Sequence, residues 1–230
     1  GQAIEGAAFV WYGSATGPTP NGTPANANWF FESNQFDARM SDSKSVGDVN
    51  GDGYSDVMVG AYRYDNPEHD EGKVFLFYGS PSGLGPNGNP VNADWSYESN
   101  QADALLGNIT SSDVNNDGFS DVIVGALLYD NGQTDEGKVF AFYGSSGGLP
   151  VNPNWNAEVN QSGAYPGSIS GAGDVNCDGY QDIIVGAKGF DNPETEEGRI
   201  FLYYGSASGL LSTPAWTAES NQGGAQLGYC

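Results

Sequence analysis

One nine-residue pattern of polar side chains, D-x-N-x-D-G-x-x-D, occurs three times in this chain of 230 residues. Its first, third, fifth and ninth positions carry three carboxylates and one carboxamide, all of which are oxygen donors. The glycine at the sixth position can adopt the positive φ that folds such a loop back on itself. The pattern therefore predicts a tight polar loop in each copy. The three copies, called the Asp loops below, span residues 48–56, 113–121 and 174–182.

The Asp loops predict three calcium sites, because oxygen ligands alone suit a hard cation and Ca²⁺ accepts several of them in flexible geometry. The seventh position would contribute its backbone carbonyl, which leaves its side chain free to be aromatic. The alternative is an Asp/Asn/Gly turn without metal, in which the adjacent carboxylates would repel one another. The predicted ligands are Asp48, Asn50, Asp52, Tyr54 and Asp56; Asp113, Asn115, Asp117, Phe119 and Asp121; and Asp174, Asn176, Asp178, Tyr180 and Asp182.

An EF-hand shares the first six positions of this pattern. It also needs a glutamate at position 12 and a helix on each side, whereas position 12 is a valine in every copy here. Short β-branched runs follow each loop, and such runs are typical of buried strands. We therefore expect each loop to join two strands, and an EF-hand is excluded.

The Asp loops belong to a longer repeat. Glu-Gly pairs, tryptophans and Glu-x-Asn-Gln segments recur in fixed order every 60 to 66 residues. Within 102–161, strands are predicted near 105–110, at 121–125, at 138–143 and around Trp155. Turn residues separate them, and no amphipathic helical stripe is present. A four-stranded antiparallel unit at this interval predicts an all-β protein built of propeller blades.

The central strands of each unit are apolar on both faces, as in residues 74–78, which predicts blades stacked face to face. The recurring tryptophan is expected to pack between blades, and a stacking platform for sugars is the alternative. The four tryptophans are Trp29, Trp95, Trp155 and Trp216.

The chain resembles the FG-GAP repeat family, the β-propeller type of integrin α subunits. The signature is a Leu/Phe-Gly strand, a D-x-N-x-D-G-x-x-D loop and a V-x-V-G-A strand. Leu106-Gly107 and Leu227-Gly228 match its opening, whereas Met40-Ser41 and Pro166-Gly167 depart from it. The resemblance covers nearly the whole chain and implies a calcium-bound propeller, usually of seven blades. It leaves the ligand open.

The repeat divides the chain into about three and a half blades. Residues 1–35 supply strands three and four of one blade, and residues 223–230 begin another. Residues 36–101, 102–161 and 162–222 are predicted to be complete blades with one calcium loop each. Such an open stack would expose edges and apolar faces. We therefore expect a segment of a longer propeller that needs further repeats or another chain, with a self-completing dimer as the less favoured alternative.

Composition limits the partners and the compartment. The chain has a formal net charge of −22 with only 7 basic residues, and such a surface repels nucleic acid and anionic membranes. No apolar run is long enough to span a bilayer, so no membrane insertion is expected.

Calcium loops of modest charge suit millimolar external calcium, which predicts an extracellular or cell-surface location. No signal peptide or initial Met is present, so a processed, trimmed or fragmentary chain is expected.

Two cysteines, Cys177 and Cys230, permit one disulfide outside the cell. Neither has a counterpart in the other repeats. A disulfide and two unpaired thiols therefore both stay open.

Two functions fit these features, and a third is not expected. The first is an interaction, adhesion or structural module with a protein ligand, and the second is a calcium-dependent lectin that binds glycans. An enzyme is not expected, because His69 is the only histidine, no other repeat has one in its place, and no G-x-S-x-G or H-E-x-x-H motif occurs.

Overall fold

A computed structural model describes residues 3–17 and 21–229 of the chain. Fourteen strands account for nearly all of its regular structure, and in the described ranges the one helical element is a 3₁₀ turn at Pro24–Asn26. None of the described helices has the length and apolar character to cross a membrane. The strands are β1 (Ala7–Val10), β2 (Trp29–Glu32), β3 (Met40–Gly47), β4 (Asp56–Ala61), β5 (Lys73–Phe77), β6 (Trp95–Glu98), β7 (Leu106–Ser112), β8 (Asp121–Ala126), β9 (Lys138–Phe142), β10 (Trp155–Glu158), β11 (Pro166–Gly173), β12 (Asp182–Ala187), β13 (Arg199–Tyr203) and β14 (Trp216–Glu219).

The strands form one two-stranded sheet, β1–β2, and three four-stranded sheets. We call the four-stranded sheets the first blade (β3–β6), the second blade (β7–β10) and the third blade (β11–β14). Each blade is an antiparallel meander in which every strand pairs with the next one along the chain. The prediction of an all-β chain made of propeller blades with almost no helix is confirmed. The sheets follow one another as an open series and do not close into a ring within the described residues.

The hydrophobic core lies between the sheets, because the central strands are apolar on both faces. All six residues of β8 are buried. Since neighbouring side chains of a strand point to opposite faces, Val122 and Val124 pack against the first blade while Ile123 packs against the third. Three separate clusters result, one at each junction between consecutive sheets.

Glycine in the Gly-Ala pair that ends the second strand of a blade lets the next blade approach closely. A Cβ on Gly60 would lie 2.2 Å from the carbonyl oxygen of Gly107, and a Cβ on Gly186 would lie 2.3 Å from that of Gly228. Any side chain there would push two backbones apart. The Leu-Gly opening and the Gly-Ala ending of the repeat therefore meet across the junction between blades.

Three kinds of hydrogen bond repeat at these junctions. The tryptophan on strand four donates its indole N–H to a carbonyl of the next blade, as from Trp95 to Pro150 at 2.9 Å. A tyrosine hydroxyl accepts a backbone N–H, as when Tyr143 accepts from Leu210 at 2.8 Å. The glutamine of each of the first three Glu-x-Asn-Gln segments exchanges two bonds with the backbone of an aspartate, as between Gln35 and Asp65. Equivalent bonds join Trp29 to Pro86, Trp155 to Leu211, Tyr12 to Leu84, Gln101 to Asp130 and Gln161 to Asp191.

The predicted position of the tryptophans between blades is confirmed for Trp29, Trp95 and Trp155, whose indoles are bonded to the next blade. Trp216 has the same place on the third blade, but 54% of its surface is exposed. No described residue accepts a hydrogen bond from its indole.

Candidate functional site: the Asp loops

Each Asp loop connects the first and second strands of a blade, namely β3 to β4, β7 to β8 and β11 to β12. The sixth-position glycines have φ values of 89°, 89° and 94°, so the positive φ expected there is present. The fourth position is also left-handed and is filled by Gly51, Asn116 and Cys177, the last with φ 61°. Glycine and asparagine tolerate this conformation far better than cysteine does.

Cys177 is exposed on the third Asp loop. Its possible disulfide partner, Cys230, lies outside the described residues. A disulfide and two unpaired thiols therefore both stay open, as in the sequence.

The first-position aspartate folds the loop by accepting backbone N–H groups of the loop itself. Asp48 accepts from Gly51 through Oδ1 and from Gly53 through Oδ2, each at 2.7 Å. Asp113 and Asp174 accept in the same way from the backbone at the fifth and sixth positions of their loops. This arrangement is an Asx-type turn.

The third and fifth positions face each other. The side-chain amide of Asn115 donates to Oδ2 of Asp117 at 2.8 Å, while its carbonyl accepts the Asp117 N–H at 3.1 Å. Asp117 in turn accepts the N–H of Phe119 at 3.0 Å. The first and third Asp loops repeat these bonds through Asn50 and Asp52 and through Asn176 and Asp178.

The ninth-position aspartates, Asp56, Asp121 and Asp182, are fully buried. Asp121 accepts the N–H of Val114 at 2.8 Å through Oδ2, and through Oδ1 it accepts the N–H of Gly144, which follows β9, at 2.9 Å. The other two make the same pair of bonds. This carboxylate therefore ties the Asp loop to the turn after the third strand, a role that its motif position did not reveal.

Burial raises the pKa of Asp121 to about 7, against the opposing effect of its two backbone donors. The charges of Asp117 and Asp113 raise the pKa further. Burial also raises the pKa of Asp56. The electrostatics of these loops therefore disfavour another negative charge and favour a cation.

The first and second Asp loops are linked to each other. The N–H of Ser120 donates to the carbonyl of Asp48 at 2.8 Å, and the ring of Phe119 fits so closely over Gly51 that a Cβ there would be 2.4 Å from it. The Phe119 ring of the second Asp loop thus packs on the first Asp loop. Among the described residues, no N–H donates to the backbone carbonyls of Tyr54, Phe119 and Tyr180.

The donor set of each loop fits a hard cation in its chemistry: three carboxylates, one carboxamide oxygen and one unbonded peptide carbonyl. The bonds that the side chains accept from N–H groups leave a second lone pair on each oxygen. The three carboxylates of a loop do not converge closely, however. In the described ranges, the only His, Cys, Asp or Glu group with three ligand atoms within 4.8 Å of one another is His69, Asp70 and Asp103.

That exposed group is held by ion pairs. Nδ1 of His69 lies 2.9 Å from Asp103, and Arg63 lies 3.2 Å from Asp70. The hydrogen bond with Asp103, followed by the charge of Asp70, raises the pKa of His69. The guanidinium beside Asp70 opposes a bound cation, so these residues form a surface ion-pair cluster.

At the other end of the blades, sequence reasoning missed a buried glutamate in the connection between strands two and three. These connections, called the Glu loops below, span residues 64–71, 129–136 and 190–197. Glu71, Glu136 and Glu197 are fully buried. Burial, with the charges of Glu98 and Glu68, raises the pKa of Glu71 to about 7, although the N–H groups of Asn66 and Asn100 oppose this. The repeated Glu-Gly pair was the signal in the sequence that could have revealed them.

Family comparison gives three matched segments, residues 45–77, 107–142 and 166–203, and each contains an Asp loop with the second and third strands of a blade. The matching family is the FG-GAP repeat. The chain carries three FG-GAP repeats. The resemblance drawn from the sequence is therefore confirmed, and each repeat spans the parts of a blade that hold its Asp loop.

Curated relatives of these FG-GAP repeats include integrin alpha pat-2 of Caenorhabditis briggsae, 28% identical over 94% of this chain and 18% of that protein. Mouse integrin alpha-3 is 36% identical over 50% of this chain and 11% of that protein. Human phosphatidylinositol-glycan-specific phospholipase D is 29% identical over 84% of this chain and 24% of that protein. The chain thus spans less than a quarter of the length of each of these relatives.

The bonds of the ninth position predict that Asp121→Asn destabilises the fold even without metal. An amide offers one acceptor oxygen where the carboxylate offers two, so one buried backbone N–H loses its partner at a cost of about 1–3 kcal/mol. Urea denaturation in EDTA at pH 8.5, where the buried carboxylate is ionised, measures the loss.

Asp117→Asn is the matched control, since Asp117 is exposed and an amide oxygen still accepts the Phe119 N–H. Its unfolding free energy without metal should change by less than about 0.5 kcal/mol. Equal losses for the two variants would contradict the anchoring role of Asp121.

Proposed function

We propose that this chain is an extracellular calcium-binding FG-GAP propeller module that acts in adhesion, protein–protein interaction or structural assembly. The observation that carries the proposal is the recurrence of one Asp loop, with the same internal hydrogen bonds, at the same end of three consecutive blades. The similarity to integrin α subunits supports an interaction role and a location outside the cell.

Calcium would be held in each loop by the oxygens at positions 1, 3, 5 and 9 and by the carbonyl at position 7. The three sites are assigned to Asp48, Asn50, Asp52, Tyr54 and Asp56, to Asp113, Asn115, Asp117, Phe119 and Asp121, and to Asp174, Asn176, Asp178, Tyr180 and Asp182. Because the first and second Asp loops touch through the Phe119 ring and the Ser120 backbone, calcium in either of these loops would also brace the other blade.

We expect calcium to raise the melting temperature sharply. A ligand that binds only the folded state adds about 2.7 kcal/mol at one hundred times its dissociation constant, so three sites would add roughly 8 kcal/mol. Thermal unfolding in millimolar Ca²⁺ and in EDTA measures the difference. Superimposable curves would mean that the loops are metal-free turns.

In the same assay Asp117→Ala should remove part of this gain and loosen the second blade most, since repeat stability is largely a nearest-neighbour property. Asp103→Ala is the control, because Asp103 is an exposed carboxylate outside the Asp loops. A calcium response that both variants keep in full would argue against the second site.

The exposed face of the third blade supports a further proposal about partners, namely that it binds another blade of the same type. Trp216 and Gln222 occupy the places from which Trp155 and Gln161 bond to the next blade. In the described part of the chain neither side chain makes such a junction bond. The matching partner offers a backbone carbonyl for the indole and an aspartate backbone for the glutamine, as a further FG-GAP repeat or a second chain would.

We therefore expect the isolated chain to self-associate with rising concentration. Trp216→Asp should weaken this association, because it places a charge on the apolar face. Val151→Asp is the control, since Val151 is 82% exposed on another part of the surface. Light scattering coupled to size exclusion measures the mass, and a monomer at every concentration would refute the proposal.

A glycan ligand is the second candidate, and a groove of about 480 Å³ beside β1 favours it. Trp11, Tyr12 and Tyr54 line this groove, and concave sites with aromatic walls are typical of small-ligand binding. An array of glycans probed in calcium separates the two candidates. We expect no glycan signal from the interaction module, whereas binding that Trp11→Ala abolishes would establish the lectin.

The proposal is for a binding module and not for an enzyme. The one histidine is committed to Asp103 at the surface, and the repeated carboxylates are assigned to structure or cation binding. One relative is named as a phospholipase D, but the match covers only 24% of that protein.

A further inference from the structure

The Glu loops of the first and third blades each contain two carboxylates with unsatisfied buried oxygens. In the first blade these are Oε1 of Glu71 and Oε2 of Glu68, and neither atom has solvent access or a hydrogen-bond partner. In the third blade they are both oxygens of Glu197 and Oε2 of Glu194. Buried carboxylate oxygens without a partner are costly, so two of them on one short loop require an explanation.

The two glutamates of each loop lie close enough to interact. Burial raises the pKa of Glu71 and of Glu197 most, the charges of Glu98 and Glu219 raise them next, and the charges of Glu68 and Glu194 raise them further. The N–H groups of Asn192 and Asn221 lower the pKa of Glu197, but neither completes a hydrogen bond with its oxygens.

Neighbouring polar groups are already engaged elsewhere. Glu98 binds Lys73 at 2.7 Å and the side-chain amide of Asn66 at 2.8 Å. Arg63 faces Asp70. In the third blade Glu219 takes the equivalent amide of Asn192. Among the described residues, no Lys, Arg or His forms an ion pair with any of the four glutamates of these two loops.

We propose that the Glu loops of the first and third blades each hold a hard divalent cation between their two glutamates. Glu68 and Glu71 form the first site, and Glu194 and Glu197 form the second. Carboxylate oxygens are the ligands that Ca²⁺ and Mg²⁺ prefer, and waters or backbone carbonyls can complete their coordination. A cation satisfies orphaned oxygens of both glutamates and removes the repulsion between the two carboxylates.

The second blade provides a natural control. Gln133 occupies the position of Glu68 and Glu194, and it is exposed. Glu136 is buried there with one oxygen accepting the N–H groups of Asn131 and Gln133, although its other oxygen is unpartnered. With a single carboxylate, this Glu loop lacks the ligand pair and holds no cation.

The Glu loops lie between strands two and three, at the end of the blades opposite the Asp loops. Substitutions in one set therefore leave the ligands of the other set in place. The double variant Glu68→Gln/Glu194→Gln copies the glutamine of the second blade into both sites. The triple variant Asp52→Asn/Asp117→Asn/Asp178→Asn changes only the Asp loops.

The test counts bound Mn²⁺, and separately Ca²⁺, on the whole chain by equilibrium dialysis and elemental analysis. The double variant should bind two equivalents fewer than the unchanged chain, and Gln133→Glu should bind one more. The loss of two should persist in the background of the triple variant. If the Asp loops hold no cation, the triple variant by itself binds as many equivalents as the unchanged chain. Failure of the Asp-loop proposal is therefore distinguished from failure of this one.

A double variant that binds as many equivalents as the unchanged chain would overturn the proposal and show that the paired oxygens share a proton or a water molecule. Circular dichroism verifies that the variants fold. If the double variant does not fold, crystals of the unchanged chain soaked in Mn²⁺ decide. An anomalous peak between Glu68 and Glu71 supports the site. The absence of this peak from crystals soaked at a saturating Mn²⁺ concentration refutes the site.

Discussion

The architecture depends on a buried carboxylate that repeats once per blade. Asp56, Asp121 and Asp182 begin the second strand of their blades, and each accepts two backbone N–H groups, one from its own loop and one from the turn after the third strand. Hydrogen bonds to an ionised acceptor are stronger than neutral ones. One side chain therefore fixes the polar loop relative to the blade, and a loop fixed in this way can present the same oxygens in every repeat.

The junctions between blades extend this order along the chain. An indole donor and a glutamine pair recur at each of the three junctions between described sheets, with glycine contacts and tyrosine acceptors at some of them, around an apolar cluster that belongs to both sheets. In repeat architectures stability is the sum of such nearest-neighbour terms. A blade without a neighbour leaves these groups unmatched, as the exposed Trp216 shows.

The two ends of the blades pose the same electrostatic problem in different ways. The chain has 29 acidic and 7 basic residues, so side-chain cations can neutralise few of its clustered carboxylates. At the Asp loops the charges meet N–H donors and an unbonded carbonyl, whereas at the Glu loops of the first and third blades a buried and a half-buried carboxylate keep oxygens without a hydrogen-bond partner. We propose cations from solution as the counter-charge at both ends.

Periodicity and residue chemistry in the sequence determined the blade architecture, the loop between strands one and two, the near absence of helix and the FG-GAP repeats. These features follow from local rules, since β-branched runs, turn residues and a fixed oxygen pattern act over a few residues. The boundaries of β7, β8 and β9 were accordingly predicted to within one or two residues, and β10 begins at Trp155, the residue around which a strand was expected.

Only the tertiary structure decided which carboxylates are buried and what they contact. In the sequence Asp117 and Asp121 are equal members of one motif, yet Asp117 is exposed and Asp121 bonds to Gly144 from another strand connection. Likewise, the Glu-Gly pair was visible only as a repeat marker, because burial of Glu71 depends on how its loop folds back beneath Asn66 and Asn100. Burial and hydrogen bonding are set by residues distant in the chain, and a motif does not contain them.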